Sequence, residues 1–386
     1  MYRLLLIILY VCTLLIASLW GIKKGVRTSI QFILLLGILL RLIVSISFID
    51  LTHYDTISYD LVGRLTLARK TLYPAFAYYH YPYFPGFNYI EAISIFFDQF
   101  GLPYMLFLKL LFSIFDVFNI FFIYLLSKKN IQIAFLYAVN PAMIFVSAAH
   151  GQLEAIPIML SLLSILLYQK HKELAASFAL GFAIVSKVWP LLFLPFFLKY
   201  SKRRGVYTLS LIIPVIFIVT YSIWFQTPLL SVLHPPFSYR GGYGSWGIST
   251  VVHFFLPGDI SINNALYKSI TNITIIVLMM LMLFRKKTSL LREVFMFLLI
   301  FGASVLSGAN PLWLIPFILL MQPLLWQNWL LLAGIYYSII EIAEIMYVNN
   351  SLFAEKLINI GLLFAFFLWV TNVIIIIKLF KLTKAR

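Results

Sequence analysis

Long apolar runs are the feature that most limits what this chain can fold into. About a dozen of them approach the ~20 residues that a helix needs to cross a bilayer. Lipid offers no partner to backbone N–H and C=O groups, so such runs cross as helices. We therefore predict an all-α fold, a polytopic membrane helix bundle of about 11–13 spans, forming a single multi-pass domain over residues 1–386. The runs lie at roughly 4–20, 29–49, 104–126, 131–147, 152–168, 174–198, 205–225, 263–284, 293–308, 312–326, 328–346 and 357–377.

The composition agrees with a membrane location and excludes other classes. Hydrophobic residues make up 62% of the chain and charged residues only 11%, whereas about a quarter of a soluble domain is charged. The net charge of +16 comes from short basic clusters between the apolar runs, a pattern of cytoplasmic loops rather than of a nucleic-acid-binding surface. The single cysteine, Cys12, excludes a disulfide within the chain. Because Lys23 and Lys24 follow the first apolar run, we interpret that run as a span with its N-terminus outside, not as a signal peptide.

Placing every basic cluster on the cytoplasmic side gives a consistent topology. Residues 50–103 then begin and end outside, so the apolar stretches at 57–70 and 90–97 are predicted to be helices lying on the membrane surface. Residues 174–198 have basic residues at both ends and are too short for two spans. We predict there a hairpin that dips into the membrane and turns near Lys187. A second outer loop covers residues 226–262, and we expect the function on this outer side.

The first outer loop gathers acids in a chain that has few of them. Of the 13 acidic residues, Asp50, Asp55 and Asp60 lie within one short stretch. Asp55 follows a span and can accept a proton from an attacking hydroxyl, although it can equally cap the helix at 57–70. Asp50 and Asp60 can pair with Asp55 or bind a divalent cation. The alternative for Asp60 is an ion pair with Arg64 on the exposed helix surface.

Four further polar features are set among the spans. His150, Gln152 and Glu154 share one turn, which indicates either a polar site or a plain capped turn. Arg240 lies in a glycine-rich loop, where it can bind phosphate or simply reach the membrane surface. The remaining charges look structural, and an aromatic run at 78–85 suits either a membrane-interface belt or stacking on sugar rings. The structural charges are Lys109 and Asp116, which we expect to pair in one span, and Arg41, which we expect to meet a carboxylate or a helix-end carbonyl.

In their order along the chain, these features resemble the GT-C-type integral membrane glycosyltransferases. They are most similar to the polyprenyl-phosphate-mannose-dependent mannosyltransferases, including the first mannosyltransferase of GPI-anchor synthesis and its prokaryotic relatives. The resemblance covers most of the chain from about residue 35. It rests on Arg41, Asp55, Tyr73, the Tyr/Pro run, Lys109 with Asp116, Asn140-Pro141, Gly151-Gln152-Leu153-Glu154, Lys187 with Pro190-Leu191-Leu192-Phe193-Leu194-Pro195, and Asn310-Pro311-Leu312-Trp313-Leu314-Ile315-Pro316.

The resemblance implies a GT-C-like bundle whose first outer loop carries membrane-parallel helices. It also implies inverting transfer of a sugar, mannose by analogy, from a polyprenyl- or dolichyl-phosphate donor to a lipid-linked or glycan acceptor. Asp55 takes the place of the catalytic base. His53 stands where the family has the first acid of an Asp-x-Asp pair, which leaves open whether a divalent cation, Mg²⁺ or Mn²⁺, takes part.

Other residues receive expected roles from the same hypothesis. We expect a multi-pass protein in a prokaryotic plasma membrane, or alternatively in the endoplasmic reticulum, with its active site on the outer or lumenal face.

The main alternative to a glycosyltransferase is a transporter or flippase for a lipid-linked or polar substrate, and a non-catalytic scaffold subunit is another. The expected roles are supporting acids at Asp50, Asp60 and Glu154; donor-phosphate binding by Arg240, Lys187, His150 and His234; and acceptor or sugar contacts by His53, Tyr59, Tyr81, Gln152 and Trp246.

Overall fold

The computed structural model describes residues 2–51, 54–75, 81–238, 273, 275–285, 288–304, 310–347 and 351–384. All the regular elements in these residues are helices, and none of them is a strand. Short 3-10 turns occupy Tyr73–Ala75, Trp189–Phe193 and Leu209–Leu211, and a π-helical turn occupies Phe145–His150. The prediction of an all-helical fold is therefore confirmed for this part of the chain.

The helices are numbered here in chain order. The first thirteen are α1 (Tyr2–Lys24), α2 (Ile30–Ser47), α3 (Tyr54–Leu67), α4 (Phe87–Asp98), α5 (Tyr104–Leu126), α6 (Ile131–Ala138), α7 (Pro141–Ile144), α8 (Ala155–Gln169), α9 (Glu173–Ser186), α10 (Leu194–Tyr200), α11 (Arg204–Thr208), α12 (Ile212–Trp224) and α13 (Leu229–Ser238). The others are α14 (Ile275–Phe284), α15 (Leu290–Ser304), α16 (Asn310–Met321), α17 (Trp326–Tyr347) and α18 (Ser351–Lys384).

Several of these helices are long and apolar enough to cross a membrane. Four qualify singly: α2, α5, the run Arg204–Trp224, and Ala354–Phe380 within α18. A fifth is the pair Ile131–Ala138 and Pro141–His150, which is bent by 51°. Only 28% of the α2 window is buried within the protein, which leaves much of its apolar surface for lipid. The chain is thus a multi-pass helical membrane protein, and the full number of about 11–13 spans stays a prediction.

The bend before α7 has a local cause. Asn140 has an extended backbone conformation, and its side-chain oxygen accepts a hydrogen bond from the Met143 backbone N–H at 3.2 Å. Pro141 then occupies the first turn, where its missing N–H costs nothing. A capping residue followed by proline therefore ends one helix and starts another in a new direction.

The chain divides into two compact units. Unit 1 comprises Met1–Ile33, Ser127–Phe145 and Arg240–Arg386, and unit 2 comprises Leu34–Leu126 and Val146–Tyr239. In unit 1, α17 packs along α18, and α1 packs against both α17 and α6. In unit 2, α3 packs on α4, α4 on α5, α5 on α8, and α8 on α9.

A charged pair lies in the core of unit 2. Arg41 of α2 forms a salt bridge with Asp116 of α5 at 2.7 Å, and both side chains are fully buried. Ser147 donates to the same carboxylate at 3.2 Å. The expectation that Arg41 meets a carboxylate is therefore confirmed. Lys109 contacts the backbone carbonyls of Phe48 and Leu51 at the end of α2, and its predicted pairing with Asp116 stays a prediction.

The two helices predicted within residues 50–103 both form. The predicted helix at 57–70 is α3, which begins earlier, and the predicted helix at 90–97 is α4. They approach closely at Gly63, because a methyl group at that position would lie 2.8 Å from the backbone oxygen of Glu91. Their orientation relative to a membrane stays a prediction.

Candidate functional site

The site is assembled around the first turn of α3. The helix begins at Tyr54, so Asp55 lies inside its first turn rather than at a cap before residue 57. A carboxylate in this position is stabilised by the partial positive charge of the helix N-terminus. The side chain of Asp55 keeps 35% of its surface exposed, so the carboxylate is accessible to a substrate.

The turn that follows the π-helical segment supplies the partners of Asp55. Gln152 donates its side-chain amide N–H to Asp55 Oδ2 at 2.6 Å. The same nitrogen lies 3.2 Å from His150 Nε2, which is itself 3.9 Å from Asp55 Oδ2. An amide nitrogen carries two hydrogens and can donate to both groups when the imidazole proton is on Nδ1. The structure thus brings Asp55 next to two residues that lie almost a hundred positions further along the chain.

Local backbone geometry explains how His150 and Gln152 face α3. The π-helical turn Phe145–His150 adds a residue to the helical repeat, a distortion that is frequent at functional sites. It ends at Gly151, whose φ of +77° is a conformation that residues with a Cβ rarely adopt. A Cβ there would also lie 3.2 Å from Lys109 Cγ, so glycine suits both the turn and the packing.

A second charged pair lies on the same unit. Lys187 and Glu154 form a salt bridge in which Glu154 is buried and Lys187 is 22% exposed. The Lys187 ammonium also lies 5.7 Å from the centre of the Tyr83 ring, within the range of a cation–π interaction. Lys187 has an extended backbone between α9 and the turn Trp189–Phe193, so the helix is interrupted at the position where the hairpin was predicted to turn.

The aromatic residues between α3 and α4, together with Tyr59 and Phe87, form a packed cluster. The Tyr59 ring lies 5.0 Å from Phe87, Tyr81 lies 5.1 Å from Tyr83, and both contacts are edge-to-face. Burial raises the pKa of the Tyr59 hydroxyl well above its usual value, and the neighbouring Tyr83 and Asp55 raise it further. Tyr59 and Tyr81 are almost fully buried, so in this conformation neither offers a surface to a sugar ring. Their predicted sugar contacts stay predictions.

Other predicted site residues have separate positions. Asp60 pairs with Arg64 at 2.9 Å, as the surface-pair alternative predicted. Asp50 is exposed after α2, and His234 is exposed on α13. Among the described residues, no group of three or more His, Cys, Asp or Glu side chains lies close enough to hold a metal ion. His53, Arg240 and Trp246 lie outside the described residues.

One buried acid was not anticipated. Glu91 of α4 is fully buried, and its carboxyl group lies near the buried Tyr81 hydroxyl. Burial raises the pKa of the Glu91 carboxyl well above its usual value, because loss of water disfavours the charged form. The sequence held a signal, because Phe87, Glu91 and Ile95 recur at four-residue spacing and therefore share the inner face of α4.

Comparisons with other proteins identify no family for this chain. No protein-family model, no curated protein and no solved structure matches the chain.

Proposed function

We propose that the protein is an integral membrane glycosyltransferase that uses a polyprenyl- or dolichyl-phosphate sugar and takes Asp55 as its base. The observation that carries the proposal is the arrangement of Asp55, a part-exposed carboxylate in a helix first turn, held by the Gln152 amide beside His150. A general base must reach the proton that it removes while its own orientation is held by neighbours. The family resemblance is the source of two further parts of the proposal, mannose as the sugar and a lipid-linked or glycan acceptor.

The proposed reaction is a single inverting displacement. Asp55 takes the proton of an acceptor hydroxyl as that oxygen forms a bond to the anomeric carbon of the donor sugar. The bond between the anomeric carbon and the phosphate oxygen breaks, and its electron pair leaves with the lipid phosphate. Cationic side chains would stabilise this leaving group.

Lys187 is the described residue proposed to face the donor phosphate. It is partly exposed, and Glu154 holds it in place. Glu154 also neutralises it, so a phosphate would have to share the ammonium with this carboxylate. His150 is proposed to assist from its position beside Gln152. Arg240 and His234 keep their predicted roles on the donor side, and the outer or lumenal face of the membrane stays part of the proposal.

A transporter or flippase is the competing function, and buried charge in the spans is the observation that favours it. Arg41, Lys109 and Asp116 are fully buried, and charged residues inside membranes often mark transport pathways. However, Arg41 and Asp116 satisfy each other, and Lys109 contacts helix-end carbonyls. These contacts are those of a structural role.

The test supplies purified protein in liposomes with polyprenyl-phosphate sugars and candidate acceptors. The proposal predicts sugar transfer by the natural protein and a loss of about 100-fold or more in Asp55→Asn, the range expected when a general base is removed. Thermal unfolding of the natural protein and of Asp55→Asn, both in one detergent, checks that the variant is folded. Flux of a lipid-linked substrate without sugar transfer would support the transporter instead.

A further inference from the structure

A groove away from Asp55 opens where α3, α4 and α12 meet. Its cavity volume is about 460 Å³, which is within the usual range of small-molecule sites. The lining is mainly apolar and aromatic, and includes Leu67, Ile93, Phe96, Trp224 and Phe225 together with one cation, Arg69. Several of these side chains expose a large part of their surface, including Trp224 at 62% and Ile93 at 48%.

Arg69 is held at the edge of this groove. Its guanidinium lies 5.5 Å from the centre of the Trp224 ring. Arg69 has a positive φ of 53°, which turns the chain sharply after α3. Within the described residues no carboxylate pairs with Arg69, and Lys70 beside it is also exposed. The groove therefore combines apolar walls with an uncompensated positive charge.

The chain after Arg69 is anchored to the end of α12. The Leu72 backbone N–H donates to the Tyr221 hydroxyl at 3.3 Å, and Thr227 donates to Thr71 Oγ1 at 2.6 Å. These bonds hold the turn that carries Arg69 against Trp224. The cation and the groove walls are thus in place before any ligand arrives, which lowers the ordering cost of binding.

The position of the groove indicates the chemistry of its occupant. Trp224 is the last residue of the candidate span Arg204–Trp224, so the groove lies at the end of that span. Tryptophan and arginine both favour the boundary between hydrocarbon and water. A lipid places its phosphate at the same level and its chains just below, matching a cation above apolar walls.

The distance from Asp55 separates this groove from the proposed reaction centre. Asp55 lies in the first turn of α3, and Leu67 is its last residue. At 1.5 Å per residue, twelve residues of helix span about 18 Å. A donor phosphate bound at Arg69 could not also present its anomeric carbon to Asp55.

We propose that this groove, which we call the Arg69 groove, binds one anionic phospholipid of the surrounding bilayer. The phosphate contacts the Arg69 guanidinium, and an acyl chain lies along Ile93, Phe96 and Trp224. The proposal is independent of glycosyl transfer. It assigns the groove a bound lipid that stabilises unit 2, because a ligand that binds only the folded state raises its stability.

Native mass spectrometry of the full chain tests the proposal in detergent micelles containing equal amounts of phosphatidylglycerol and phosphatidylcholine. We expect one retained phosphatidylglycerol per chain and a higher thermal midpoint with that lipid than with phosphatidylcholine. Arg69→Gln should lose both effects. Lys202→Gln removes the same charge at another exposed position of unit 2 and should keep both effects.

A second pair of variants tests the apolar wall. Ile93→Trp fills the groove and should lower lipid retention, whereas Ile114→Trp, at a similarly exposed apolar position on α5, should not. Equal retention of both phospholipids would overturn the proposal, as would unchanged phosphatidylglycerol retention in Arg69→Gln. It would also fail if polyprenyl phosphate displaced phosphatidylglycerol from the natural protein and lost its own binding in Arg69→Gln, because the groove would then be a donor site.

Discussion

The two units differ in what they bury. Among the described residues, unit 2 buries charged side chains in and beside its helices: Arg41, Glu91, Lys109, Asp116 and Glu154. The described part of unit 1 buries Glu293 and Glu341 and is otherwise mostly apolar, with occasional amides such as Asn372 bonded to helix carbonyls. Burying a charged side chain costs free energy, so buried charges usually have partners or a functional role. The proposed base Asp55 and its partners also belong to unit 2, while the described part of unit 1 resembles ordinary helix packing.

The largest stability effect is expected in the core of unit 2. Arg41→Met would leave Asp116 buried without its cation, a loss of about 3–5 kcal/mol by analogy with broken buried pairs. Replacing both residues, as in Arg41→Met with Asp116→Leu, should recover much of that loss, because no unpaired charge remains. Thermal unfolding in detergent measures both variants. If Arg41→Met alone were as stable as the natural protein, the Arg41–Asp116 pair would not stabilise this core.

A glutamine in each unit gives a matched comparison of activity. Gln152→Leu removes the amide that holds Asp55, and a hydrogen bond to a charged group is worth about 1.5–3 kcal/mol. We therefore expect kcat/KM to fall roughly 10- to 100-fold. Gln132→Leu in unit 1 removes a 2.9 Å bond to the Gly21 carbonyl and should leave kcat/KM unchanged. Similar losses in both variants would contradict the functional difference between the units.

Glu91 should make stability depend on pH. Its pKa is raised by burial above the ordinary 4.5, so the folded chain retains a proton that the unfolded chain releases. The contribution of Glu91 is complete below the unfolded pKa and is lost as pH rises through the folded pKa. Glu91→Gln should therefore match the natural protein near pH 4 and have the higher thermal midpoint in alkaline buffer. Parallel midpoint curves for the two proteins would show that Glu91 is not buried as a neutral acid.

The smallest effect is expected in unit 1. Asn372 donates to the Leu299 carbonyl at 2.9 Å between α18 and α15. Asn372→Leu should lower stability by about 1 kcal/mol, the net value of one hydrogen bond, and should not change the transfer rate. The two measurements are thermal unfolding and the liposome transfer assay. A large loss of transfer in a stable Asn372→Leu protein would place part of the site in unit 1.

The sequence predicts the helical membrane class well, because apolar runs and basic clusters act locally. It also predicts that α3 and α4 exist, that the helix breaks at Lys187, and that Asp60 pairs with Arg64, since each depends on neighbouring residues. The contact between Asp55 and Gln152 required two separate outer segments to meet, and only their shared predicted side of the membrane suggested it. Helical spacing predicts that Lys109 and Asp116 share a face, but the contacts of Lys109 with the carbonyls at the end of α2 depend on the fold and could not be predicted. Glu91 shows that helical periodicity can identify a buried acid when it is applied to short helices.

We propose that Asp55, and not the acids near it, acts as the base. The most direct measurement compares sugar transfer by Asp55→Asn and Asp60→Asn at equal amounts of folded protein. The two variants make the same chemical change on the same helix, and Asp60 is paired with Arg64. The account predicts a loss of about 100-fold or more for Asp55→Asn and near-natural transfer for Asp60→Asn. Sugar transfer by Asp55→Asn at the rate of the natural protein, or equal losses in both variants, would contradict the role of Asp55 as the base.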